Sequence, residues 1–118
     1  MNQNNVFQKI INKRIKSELI YQDQYVTAFK DLFPKAPIHI LVVSNTLITS
    51  LDEINLKNKK ILMHMYYAAI QITRMVKINK SGYRLIMNCN HDSGQEIQHI
   101  HLHILGGKYL GPILSDII

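Results

Sequence analysis

His99-Ile100-His101-Leu102-His103-Ile104-Leu105 holds three of the chain's six histidines, in strict alternation with aliphatic residues. Two is the period of a β-strand, whose successive side chains point to opposite faces. The spacing therefore predicts a strand over 99–105. His99, His101 and His103 would line one face, with Ile100, Leu102 and Ile104 buried on the other. Gly106-Gly107 stops it. A strand of this kind joins a dry face to a row of imidazoles, so it orients the sheet and marks where chemistry lies.

The rest of the chain supplies the partners for that strand. Val6/Phe7, Ile10/Ile11 and Ile15 recur at helical spacing, predicting a short amphipathic helix over Val6–Ile15. Leu19–Gln22 and Tyr25–Lys30 are β-prone runs separated by Asp23-Gln24, a turn. Pro34 and Pro37 break regular structure, and the β-branched run Ile38–Ser44 reads as a buried strand. Asn45–Asp52 is a polar loop. Leu62, Met65, Ala69, Ile72 and Val76 form one apolar stripe, predicting a helix from Leu56 to Lys77 with Asp52 and Glu53 as its acidic start. Tyr83–Asn88 is a further strand and Asn90–Gln95 a loop. Five strands and two helices in the order α-β-β-β-α-β-β, without regular βα alternation, predict an α+β fold: an antiparallel sheet with its helices packed on it.

The 118 residues fit one domain, with a core over about 6–107 and a tail over 108–118. With 47% hydrophobic residues spread along the chain, intrinsic disorder is excluded. The single Cys89 makes no intrachain disulfide, which suits a reducing compartment. No apolar run is long enough to span a bilayer, and the polar start Met1-Asn2-Gln3-Asn4-Asn5 lacks a signal peptide's apolar core, so a cytoplasmic protein without a membrane partner is expected. The net charge of +6 favours anionic partners. The basic residues form only loose groups (Lys9, Lys13, Arg14 and Lys16; Lys57, Lys59 and Lys60; Arg74, Lys77 and Lys80) without interleaved aromatics. They read as solvated faces, and no stable nucleic-acid complex is expected.

Three readings of the histidine row compete. A metal site is one, but His99 to His103 spans ~13 Å at ~3.3 Å per residue. One ion, with nitrogens at about 2.0–2.1 Å, cannot hold all three; His91, Asp92 or His39 would have to complete the set. Acid–base and nucleophilic chemistry on an anion is the second, because histidine titrates near neutrality and serves as nucleophile, base or donor. Gly94, in the loop before the strand, lets backbone N–H groups approach such an anion. The third is a polar strand with surface histidines, which three in register make the weakest. His64, on the polar side of the long helix, reads as solvated. His91 reads as either surface or phosphate-proximal, and Cys89 as packing.

The pattern His-φ-His-φ-His-φ-φ, which 99–105 matches throughout, resembles the signature of the histidine-triad superfamily of nucleotide hydrolases and transferases. The resemblance extends to Val6-Phe7-Gln8-Lys9-Ile10-Ile11, to Ala28-Phe29-Lys30-Asp31-Leu32 with Pro34-Lys35-Ala36-Pro37-Ile38-His39, and to Gly82-Tyr83-Arg84, Asn88, Ser93-Gly94-Gln95 and Leu105-Gly106-Gly107. Together these are similar to the superfamily's nucleotide-binding branch, over about Val6 to Leu114. The resemblance implies His101 as nucleophile toward an α-phosphorus, forming a nucleotidyl-imidazole that water hydrolyses. It implies that His99 and His103 orient it and contact phosphate or leaving group, with His39 as a further active-site histidine. Asn88 would contact phosphate or leaving group, near Gly94, Gln95 and Glu96. Asp31 would accept both ribose hydroxyls. Phe7, Ile10, Ile15, Phe29 and Leu32 would form the slot for a purine base.

The implied substrates are purine nucleoside phosphoramidates and aminoacyl adenylates (AMP and GMP conjugates), with no metal and no cofactor. The implied assembly is a homodimer whose sheets join, with Met65, Tyr66 and Ala69 packing on the symmetry mate. Lys30 replaces a common histidine, Glu96 stands where many members carry a small hydroxyl residue, and Leu110-Gly111-Pro112-Ile113-Leu114 resembles the bacterial pattern of a tail that shapes the leaving-group side. A metal-dependent hydrolase using two of the triad histidines, or a non-catalytic nucleotide-binding regulatory module, are the alternatives.

Overall fold

The β-branched run Ile38–Ser44 (β3) is the centre of the molecule, because six of its seven residues are buried and strands flank it on both sides. The computed structural model describes residues 4–13 and 18–114. In it β3 lies between β2 (Val26–Lys30) and β5 (His101–Gly106), with β1 (Leu19–Gln22) and β4 (Tyr83–Ile86) at the edges. The order is β1-β2-β3-β5-β4 and every pairing is antiparallel, as the α+β reading expected.

One face of the sheet is dry. Val26, Ala28, Ile40, Val42, Leu102 and Ile104 pack on Met65, Ala68, Ala69 and Ile72 of α2 (Lys60–Met75). Met65 and Ala69 are therefore spent on the chain's own core, not presented to a symmetry mate; of the three residues assigned to that role only Tyr66 is exposed. The helix is shorter than 56–77. Upstream, the Asn55 side chain accepts the N–H groups of Lys57 and Asn58, and Asn58 accepts that of Asn55, so these residues close a turn of their own. Asp52 and Glu53 lie in a separate 3-10 turn and do not start α2. At the other end Lys77 turns left-handed (φ 62°).

The opposite face carries α1 (Asn4–Ile11), which lays Phe7 and Ile10 on Phe29, Leu41 and Val43. The helix stops at Ile11, ahead of Lys13 at φ 62°; Ile15 falls outside the described residues. Four strand limits also differ from the reading above, one being that β5 runs on through Gly106. Tyr25 precedes β2 because the Asp23 carboxylate takes the N–H groups of Tyr25 and Val26 into the turn. β4 ends at Ile86. β5 starts at His101, because the Ile100 N–H donates to the Ile48 carbonyl (2.7 Å) and not to a neighbouring strand. Among the described residues no helix is long and apolar enough to cross a membrane.

Candidate active site

Strand parity assembles the site. The register sets His39 opposite Leu105 and Leu41 opposite His103, while on the other side Arg84 faces Leu105 and Ile86 faces His103. All six side chains project to the face that α1 only partly covers. They floor a cavity of about 620 Å³, within the usual range for a small-molecule site. Phe7 of α1 walls one side, and Asp31, Phe33 and Lys35 of the β2–β3 connection another. Asn88, Gly94, Glu96 and Ile97 come from the β4–β5 connection, and Leu110 from the tail. His101 lines the cavity beside Phe7, their rings 5.2 Å apart.

Hydrogen-bond partners decide where the protons lie. His101 Nδ1 is 2.6 Å from the His99 carbonyl oxygen. A carbonyl only accepts, so Nδ1 carries the proton and Nε2 keeps its lone pair. Across the cavity the Lys35 backbone N–H donates to His39 Nδ1 (3.0 Å). His39 therefore holds its proton on Nε2, which donates to His103 Nδ1 at 2.9 Å. The same Nε2 lies 3.4 Å from Asp31 Oδ2, while Asp31 Oδ1 accepts the Phe33 N–H at 2.8 Å. Burial holds His39, His99 and His101 below the ordinary histidine value of 6.5, against the opposing pull of Asp31 on His39 and His101 and of backbone carbonyls on His99 and His101. His103 is pushed down to about 4, by burial first and then by repulsion from His101 and His39. At neutral pH these four rings are uncharged.

His39, His101, His103, Asp31, Asn88, Gly94, Glu96 and Phe7 thus meet at one cavity. Others do not reach it. His99 is fully buried beneath Phe7, and its Nε2 is bonded to the Ser44 carbonyl at 2.7 Å. Its contribution to His101 is its backbone oxygen, not its ring; because β5 starts at His101, His99 is outside the alternation that the sequence suggested. Gln95 is a strut: its amide donates to the Thr49 and Ile97 carbonyls and its oxygen accepts the Asn90 N–H. Ile10 and Phe29 are buried behind Phe7. Leu32 points away, 66% exposed, and Phe33 takes its place at the rim. Lys30 pairs with Glu18. His91 and Asp92 pair on the surface. His64 is half-buried, stacked on Tyr25 at 3.7 Å, and Cys89 is half-buried.

Arg84, Ile86, Leu41 and Leu105 escaped the sequence reading, although parity with Asn88, His39 and His103 marks them. Phe33, Lys35 and Leu110 carry no such signal, since turn and tail geometry place them.

Asp31, His39 and His103 also bring one donor atom each within 4.8 Å of the others, as a metal would require. Their protonation is wrong for one. A metal-ligating histidine donates its other N–H to an acceptor, whereas His39 Nδ1 faces the Lys35 N–H donor and its Nε2 is already protonated.

A family model for the HIT domain matches residues 12–110. The chain is 61% identical over 109 residues to a HIT-like protein of Buchnera aphidicola subsp. Baizongia pistaciae, covering 92% of this chain and 97% of that one. It is 44% identical over 115 residues to the purine nucleoside phosphoramidase of Escherichia coli, covering 98% and 97%. Among solved structures, a HIT family hydrolase from Clostridium thermocellum superposes with a TM-score of 0.90 at 42% identity, covering 92% of this chain and 96% of that one. A histidine triad protein from Clostridium difficile gives 0.89 at 41%, covering 92% and 95%. With a HIT-domain model matched over most of its length, relatives at 44–61% identity and the same fold in these solved structures, the chain belongs to the histidine-triad (HIT) family.

Proposed function

We propose that the protein is a purine nucleoside phosphoramidase-type hydrolase, acting on phosphoramidates and aminoacyl adenylates. His101 Nε2 attacks the α-phosphorus, and the P–N bond of a phosphoramidate breaks as the amine leaves with a proton. Water then attacks the nucleotidyl-imidazole, releasing nucleoside monophosphate and restoring neutral His101. The observation that carries this reading is the state of His101: neutral, cavity-lining, with Nδ1 tied to the His99 carbonyl and Nε2 free. His39 and His103 supply a proton-bearing chain beside it. Asp31 suits ribose hydroxyls, since a carboxylate oxygen accepts more than one hydrogen bond. Asn88, Gly94 and Glu96 suit the phosphate end, and Phe7, backed by Ile10 and Phe29, a flat base. The likeness to the Escherichia coli purine nucleoside phosphoramidase supports the substrate class.

The proposed assembly is a homodimer. Strand β4 is a sheet edge in the described chain, and pairing it with a second copy would remove an unprotected row of backbone donors and acceptors.

A metal is needed when water is the direct attacker and its pKa must fall from 15.7 to about 7; a neutral imidazole is itself a sufficient nucleophile. The test is a steady-state assay of adenosine and guanosine phosphoramidates before and after exhaustive chelation, with metal content measured on both samples. Turnover should be unchanged. A stoichiometric metal whose removal abolishes turnover, and whose return restores it, overturns the covalent-histidine reading in favour of a metal-dependent hydrolase using triad histidines.

A further inference from the structure

We propose that a second cavity, between the β1–β2 turn and the outer side of α2, binds a small organic cation with a methylated or quaternary ammonium head. It shares no lining residue with the active-site cavity, and nothing about it requires the phosphoramidase reading.

The cavity measures about 700 Å³, within the usual range for a small-molecule site. The β1–β2 hairpin brings Tyr21, Asp23 and Tyr25 to its wall, and α2 brings Met63, His64 and Tyr67. The helical three share one side of α2, because residues three and four apart are neighbours there. Strand β1 is the sheet edge opposite β4, so pairing through β4 leaves this end of the sheet uncovered.

Charge selects the sign of the ligand. The chain carries a net +6, yet among the described residues no lysine or arginine lines this cavity, and Asp23 is its one carboxylate. Asp23 Oδ1 accepts the N–H groups of Tyr25 (2.7 Å) and Val26 (2.9 Å), and Oδ2 accepts the Tyr21 hydroxyl (2.8 Å). Burial opposes its charge, but these donors, with His64 nearby, hold the carboxyl below its ordinary value of 3.8. It is therefore an anion at neutral pH. A carboxylate offers about four acceptor positions, so Oδ2 keeps one for a ligand.

The rings select the kind of cation. Tyr25 is stacked on His64 at 3.7 Å and 11°, which fixes its ring, and it remains 40% exposed. Tyr21 is fixed through its hydroxyl. Tyr67 and Met63 are 59% and 61% exposed. A cation is drawn to the face of a tyrosine by the ring quadrupole. A primary ammonium is strongly hydrated and has three N–H donors, which one spare carboxylate position does not satisfy. A quaternary ammonium has no N–H to satisfy. Its methyl groups suit tyrosine faces and the polarisable Met63 thioether, while Asp23 balances its charge.

The test is an NMR titration of the full chain with choline, with ethanolamine, and with the uncharged tert-butyl isostere of choline (dimethylbutanol), at constant ionic strength. Choline should shift the backbone amides of Tyr21, Tyr25, His64 and Tyr67 saturably, and bind at least about tenfold more tightly than either of the others. Tyr67 faces solvent, so its ring can be changed without touching the core. Tyr67→Leu keeps apolar bulk but removes a ring face, and should weaken choline at least about fivefold, whereas Tyr67→Phe should stay within about twofold of wild type. No saturable shift at these residues, or equal binding of choline and its isostere, would overturn the cation site. Ethanolamine binding as tightly as choline would overturn the preference for methylated nitrogen. Choline binding left unchanged by Tyr67→Leu would overturn the part assigned to the aromatic ring.

Discussion

The two faces of β3 and β5 are built from the same residues in alternation, yet they end up doing different things. On one face Ile40, Val42, Leu102 and Ile104 are sealed by α2, whose sixteen residues run about 24 Å at ~1.5 Å per residue. On the other, α1 has eight residues and reaches only about 12 Å. It seals Phe29, Leu41 and Val43 with Phe7 and Ile10, then stops. The uncovered remainder is the cavity with His39, His101 and His103. The length of a helix thus separates the stabilising face from the chemical one. Within the α1 side, buried polarity divides again between the cavity and the part that Phe7 seals. On the cavity side each ring nitrogen that must be tied has a partner: His101 Nδ1 on a carbonyl, His39 Nδ1 on an amide, His103 Nδ1 on His39. The one orphan among the described residues is Nδ1 of His99, the histidine sealed under Phe7.

If the faces divide labour in this way, the largest effect should come from the chemical side. His101→Ala should cut kcat by at least about a thousandfold, because it removes the group proposed to carry the covalent step. Its thermal midpoint should stay close to wild type. A variant that kept substantial activity would break the assignment of the nucleophile.

The converse substitution is Ile72→Ala on α2. It empties a fully buried site on the dry face and should cost about 2–5 kcal/mol of stability, read from denaturant unfolding. At temperatures where it remains folded, kcat should lie within about twofold of wild type. A large loss of kcat in the folded variant would show that the two faces are coupled.

The smallest effect sharpens the comparison by pH. His39, His99, His101 and His103 all titrate below 6.5 in the folded chain, chiefly through burial. Below 6.5 the unfolded chain therefore binds more protons, so these groups contribute full stability above that pH and lose it on acidification. For His103 the loss continues down to about pH 4. Urea midpoints measured between pH 7.5 and 4 should fall along this slope, and Ile72→Ala should keep the same slope from a lower start. His103→Gln should flatten it. An unchanged slope in His103→Gln would show that this ring is not held neutral.

Much of this arrangement was legible along the chain. Alternation of histidine with Leu102 and Ile104 identified β5 and its dry face, because a strand turns every second residue the same way. The stripe Met65, Ala69 and Ile72 identified α2 for the analogous reason. What escaped was set by contacts distant in sequence. His99 fits the alternation but leaves it, because the Ile48 carbonyl captures the Ile100 N–H and the Ser44 carbonyl captures the His99 ring. Gln95 reads as a phosphate neighbour yet braces two carbonyls. Leu32 and Phe33 exchange roles at a turn whose direction no periodicity records.

By itself, then, the sequence determined the sheet, the helix that seals it, and that His101 and His103 share a strand face, since each follows from local period and apolar burial. Only the tertiary structure decided that His39 Nε2 donates to His103, that the His99 carbonyl leaves His101 Nε2 free, and that Arg84 clasps the tail. Those depend on single donors and acceptors meeting within about 3 Å, the first and last across separations of many residues, and hydrogen bonds have that short, directional reach.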